Sequence, residues 1–105
     1  MALAWRFVVV RRVHGSSMSP GLPEGTLVLA TPWRKPIPGR VVIFKHQGLE
    51  KIKRVHDLDP GRLFVVGDNL PHSTDSRTFG WVARRHVIGT VVWPKISRNA
   101  YTTHS

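Results

Sequence analysis

Residues 39–57, GRVVIFKHQGLEKIKRVHD, decide how the rest of the chain is read. Two pieces rich in β-branched and aromatic residues, GRVVIFKH and LEKIKRVHD, are cut apart at Gly48, and neither has a helical period. The same pattern runs outward in both directions. RFVVVRRV (6–13) and GTLVLAT (25–31) come before, RLFVVG (62–67) and HVIGTVVW (86–93) after, with turn formers such as Pro20 to Gly25, Pro36 to Gly39, Pro60-Gly61 and Gly80 between them. Six or so short strands at this spacing predict a mainly β domain, a small folded-over β-sheet or barrel that closes its edges against self-pairing. A helical turn is expected only at Ser19 to Pro23. Residues 95–105, KISRNAYTTHS, are polar and aperiodic and read as a tail behind a single domain over 1–94.

The size agrees with one domain: 105 residues, 41% of them hydrophobic, bury one modest core without a metal or disulfide to staple it. No apolar run approaches the roughly 18 residues that a membrane-spanning helix needs. The opening MALAWRFVVVRRV has Arg6 inside its apolar stretch and no small-residue cleavage pattern behind it, so it does not read as a secretory signal peptide. The absence of cysteine excludes disulfides, thiol nucleophiles and cysteine metal sites. None of His14, His46, His56, His72, His86 and His104 has metal-ligand spacing, and neither metal nor cofactor is expected. Lys and Arg number 16 against 6 Asp and Glu, a net charge of +10, which suits an anionic neighbour and equally a basic surface that only aids solubility. The basic residues are scattered in pairs such as Arg11-Arg12 and Arg84-Arg85, with no basic block, which favours an anionic membrane surface over nucleic acid.

Three segments carry chemistry. Gly15-Ser16-Ser17-Met18-Ser19-Pro20 leaves a strand on a sharp turn, a place where a hydroxyl is exposed beside backbone N–H groups that can hold an oxyanion. Serine after glycine is also an ordinary turn. In Glu50-Lys51-Ile52-Lys53-Arg54-Val55, alternation puts Lys51, Lys53 and Val55 on one face and Ile52 and Arg54 on the other. A lysine among core positions can lose its charge and act as a base, whereas on an edge strand the same lysines merely discourage aggregation. Residues 67–80, GDNLPHSTDSRTFG, gather turn formers, hydroxyls and an Asp75–Arg77 ion pair into a self-bracing loop.

In order and in kind, these three segments resemble the serine, lysine and GDN…S.DSR..G boxes of the signal peptidase I family of Ser/Lys endopeptidases, including its mitochondrial inner membrane protease branch. The resemblance covers roughly residues 8–94. It implies the small folded-over β fold that signal peptidases share with the self-cleaving repressor proteases. It further implies a serine endopeptidase that removes an N-terminal leader after a small residue. Ser17, directly before Met18, would be the nucleophile and Lys53, directly before Arg54, the general base, with Lys51 ranked second. The oxyanion would be held by the N–H of Ser17, helped from Gly15. Ser73 would orient Lys53, Asp75 and Arg77 would brace the loop, and Gly67 and Asp68 would shape its turn. Met18, Leu22 and Phe44 would line the shallow apolar pockets for an extended leader.

Against the family pattern, Gly21 replaces the usual threonine, the segment after the lysine box is degraded to residues 56–62, HDLDPGR, and no anchor precedes the serine box. The expectation is therefore a minimal core, peripheral to a membrane or working with a partner subunit. A cytoplasmic alternative follows from a second likeness, to the small maturation protease of nickel-type superoxide dismutase. Readings of another class are a non-enzymatic basic β-barrel that binds nucleic acid and a self-cleaving regulator, for which the roughly 14 residues before Gly15 leave little to cut. His56-Asp57 invites a Ser-His-Asp triad, but His56 would have to leave the face that carries Lys53.

Overall fold

The computed structural model describes residues 8–69, 71 and 73–96. It is mainly β. Strands β1 (Val9–Arg12), β2 (Leu27–Thr31), β3 (Val41–His46), β4 (Leu49–Asp59), β5 (Arg62–Val66), β6 (Val82–Ala83) and β7 (Val87–Trp93) form one antiparallel sheet. Their order is β1-β2-β7-β3-β4-β5-β6, with β1 and β6 as open edges, so the sheet folds over without closing into a barrel.

The reason for the folding-over lies in β3. Its Val41, Val42, Ile43 and Phe44 are all buried, yet alternate residues point to opposite faces of a strand. Val41 and Ile43 enter one core with Val13, Met18, Leu22, Val28, Ala30 and Val91. Val42 and Phe44 enter a second with Val55, Leu63, Val65 and Val82. A continuous apolar run is the mark of a strand covered on both sides, and here one sheet supplies both covers by bending. Register shifts at Leu29/Ala30, Ile43/Phe44 and Val55/Asp57 are the β-bulges that allow the bend. At Gly89 an added Cβ would lie 3.2 Å from the backbone of Thr31, so glycine lets β7 press against β2.

The β3–β4 hairpin turns on Gln47 (φ 50°) and Gly48 (φ 79°), with His46 paired to Leu49. Two consecutive left-handed residues are the requirement of the tightest hairpin turn, and its right-handed twist matches the flanking strands. The expected helical turn at Ser19 to Pro23 is a single turn closed by Leu22 N–H donating to the Met18 carbonyl at 2.9 Å. Among the described residues the α-helix, α1 (Ser76–Phe79), falls in the segment read as a self-bracing loop, and a short 3-10 turn forms at Arg84–His86. Of the expected tail, Ile96 packs against the first core, and residues 97–105 lie outside the described residues. No helix among the described residues is long and apolar enough to cross a membrane.

Candidate active site

Behind β1 the chain makes a loop that is fastened at its base, where Val13 N–H donates to Thr26 O and Gly25 N–H to Val13 O, each at 2.8 Å. Met18 and Leu22, both fully buried, anchor the loop's tip in the first core. Ser17, next to one anchor, is thereby held half-exposed. From the other side Asn69 clamps the same turn, its N–H on the Ser17 carbonyl at 2.7 Å and its Nδ2 on the Ser16 carbonyl at 2.9 Å. Sequence reasoning gave Asn69 no role, although the GDN string was in view.

Opposite this turn β4 presents Lys53, paired in register with Val42 and only 6% exposed. Its Nζ lies 2.7 Å from Ser17 Oγ. Burial is the main force that pushes the Lys53 ammonium below its ordinary pKa, and the charge of Lys51 adds to it; the Asp75 carboxylate opposes the shift and Arg77 reinforces it. Such a group gives up its proton more readily than a solvated lysine and sits within reach of a hydroxyl. The pair can therefore transfer a proton between oxygen and nitrogen.

The 67–80 segment supports both partners through a chain of bonds. Asp75 caps α1, accepting from Arg77 N–H at 3.1 Å, and also accepts from Gly67 N–H, Ser73 Oγ and the Arg77 guanidinium. Burial pushes its carboxyl up, but these donors outweigh burial and hold it well below the usual carboxylate range. With a depressed folded pKa, Asp75 stabilises the fold above the ordinary carboxylate range, and that contribution is lost as pH falls below it. Asp68 makes a buried two-pronged pair with Arg54, at 2.8 and 2.7 Å, and Arg54 also donates to Gly39 O. Gly67 is required by space. A Cβ there would run into Ser73 and come within 2.8 Å of the Ser17 carbonyl.

Three expected assignments change. Ser73 gives its hydrogen bond to Asp75 at 2.7 Å and not to Lys53, because a carboxylate two residues away is the stronger acceptor. Gly15, with φ +80° and no side chain, has its N–H turned to the Glu24 carboxylate at 3.1 Å, which takes it away from an oxyanion. Ser17's own N–H makes no hydrogen bond among the described residues. Of the expected pocket residues, Met18 lines a cleft of about 340 Å³ with Arg11, Val13, Ser17, Glu50 and Ile52 among its other walls. Leu22 and Phe44, buried in the first and second cores like Met18 in the first, do not line it. His56 lies edge-on to Phe64 on the outside of the β4 bulge, with ring centres 6.0 Å apart.

Residues 45–96 match the family model of the signal peptidases, peptidase S26. Over 41 residues the chain is 49% identical to the mitochondrial inner membrane protease subunit 2 of Saccharomyces cerevisiae, an alignment that covers 36% of this chain and 23% of that protein. The family match takes in Lys53, Asp68, Asn69, Ser73, Asp75 and Arg77. Ser17 lies before it and is joined to it by the contacts above.

Proposed function

The chain belongs to the signal peptidase family, peptidase S26, and from that premise we propose that it is a serine endopeptidase in which Ser17 attacks and Lys53 serves as the general base, cutting a leader after a small residue. The observation that carries this reading is the 2.7 Å approach of a buried lysine amine to a turn-borne hydroxyl. Neutral Lys53 accepts the Ser17 proton as Oγ bonds to the carbonyl carbon of the substrate, and the carbonyl oxygen takes the negative charge beside the N–H of Ser17. The resulting ammonium protonates the amine that leaves. Lys53, neutral again, then takes a proton from the water that attacks the acyl carbonyl and returns it to Ser17 Oγ as the acid is released. An extended leader lies along the cleft wall, between β1 and its following residues on one side and β4 on the other.

The experiment that tests the reading is mass-spectrometric analysis of a leader-peptide library incubated with the wild-type protein, with and without anionic vesicles, since a net charge of +10 suits an anionic surface. Cleavage after small residues supports it; a folded wild type that cuts nothing under either condition overturns it.

The reading also sets a pH dependence. Only the neutral amine works, so kcat/KM rises with pH through the Lys53 pKa, and the acid limb falls below the ordinary lysine value of 10.5. Lys51→Gln removes a neighbouring charge that depresses that pKa. The acid limb is then expected to move to higher pH while the alkaline plateau stays, as a kcat/KM profile would record. A second expectation concerns Gly67. Gly67→Ala forces Ser73 or the Ser17 carbonyl to move, and displacements of about 1 Å cost on the order of a hundredfold in rate. Activity should fall by that order in a protein whose circular dichroism remains that of a folded β domain.

A further inference from the structure

The cleft beside Ser17 is charged in a way that recognition of a small residue before the cut bond does not use. Its carboxylate, Glu50, is already engaged: Arg11 grips it with Nε at 2.6 Å and a terminal nitrogen at 3.0 Å. The pair bridges β1 and β4 on the cleft's walls. Arg12 and Lys51 remain on the walls, and neither has a carboxylate partner among the described residues. Arg12 gives one donor to Gly25 O, and Lys51 leans toward the Phe79 ring at 5.8 Å. His14 is a further lining residue. The nearby carboxylates are committed elsewhere, Glu24 to Gly15 N–H and Asp75 to Arg77, Ser73 and Gly67.

Lys51 shares a face with Lys53, paired with Phe44 as Lys53 is with Val42. Two strand residues span about 7 Å, the same length as two residues of an extended peptide. We propose that this cleft selects leaders with an acidic side chain about two residues from the bond that is cut, held by Lys51 and Arg12. The proposal rests on the peptidase reading for its substrate and on the cleft's own charges for its chemistry. An aspartate there makes a charge-assisted contact in a half-enclosed space, where a lysine meets repulsion from both walls.

The test uses short peptides with a small residue before the bond, differing only in Asp, Asn or Lys at one position. Binding to Ser17→Ala is followed by fluorescence anisotropy, and kcat/KM is measured with the wild type. Aspartate two residues from the bond is expected to bind about fivefold tighter than asparagine, and lysine more weakly than either. Aspartate six residues away should give no gain. Adding Lys51→Glu is expected to reverse the order, while Arg85→Glu, an equal change in net charge on an exposed turn, leaves it intact. Equal affinities, an unchanged order with Lys51→Glu, or an equal loss with Arg85→Glu would each overturn the proposal. The two readings fail separately. Peptides that bind in the expected order but are never cut refute the peptidase and leave the acidic preference standing; peptides cut without regard to charge do the reverse.

Discussion

Ser17→Ala and Lys53→Met are each expected to reduce leader cleavage by roughly 10³-fold or more, and the double variant by little beyond either alone, because groups that act as one unit do not contribute additively. The reasoning starts from the hydroxyl. Serine is a poor nucleophile until a base takes its proton, and Lys53 Nζ, at 2.7 Å from Ser17 Oγ, is the base within reach. Methionine suits the test because it keeps the length of the lysine stem and removes a charge from a site that is only 6% exposed. The Lys53→Met protein should therefore be as stable as the wild type in urea, and its loss of activity can be assigned to chemistry. Lys51→Met provides the contrast. It lies on the same face of β4, and it should shift the pH profile and the substrate preference without removing turnover. If Lys51→Met removed turnover and Lys53→Met did not, the roles of the two lysines would be exchanged.

Much of this arrangement is legible in residues 39–57, and the rest is not, for identifiable reasons. β-branched runs bounded by turn formers mark β3, β4 and β7 closely, because such runs read as strand whether one face or both are covered. The run Val41 to Phe44 reads as strand but does not reveal that its two faces serve two cores; that requires the bulges, which leave no residue signature. Leu22 and Phe44 show the same limit. An apolar residue beside a functional serine can face the cleft or the core, and only the path of the turn decides. The helix Ser76–Phe79 is too short to show a period, although Asp75 in front of it is an ordinary N-cap. Resemblance assigns Ser73 to the lysine, whereas the local carboxylate competes more effectively for its hydrogen. Arg54 is the clearest omission. Read as a flank that identifies Lys53, it proves to be the most deeply buried charge in the described chain, tied to the residue next to Asn69.

That burial sets the largest expected effect on stability. Arg54 and Asp68 side chains are 0% and 3% exposed, so neither can fall back on water if the other is lost. Asp68→Ala leaves the guanidinium with the Gly39 carbonyl as its remaining partner and should cost about 3–5 kcal/mol, since an uncompensated buried charge is far worse than an absent pair. Domains of this kind hold only about 5–15 kcal/mol in total, so the variant should unfold at much lower urea. Arg54→Met with Asp68→Leu removes both charges and is expected to recover most of the loss. The same double variant separates two roles of the pair. Asp68 immediately precedes Asn69, whose two hydrogen bonds hold the carbonyls of Ser16 and Ser17. If the ion pair serves to place Asn69, the doubly apolar protein will be stable yet slow, with kcat reduced and the pH profile unchanged. If it serves only to fill the fold, stability and activity will return together. A loss below about 1 kcal/mol in Asp68→Ala would mean that the site relaxes to admit water, and that the buried pair is not what fixes the turn bearing Ser17.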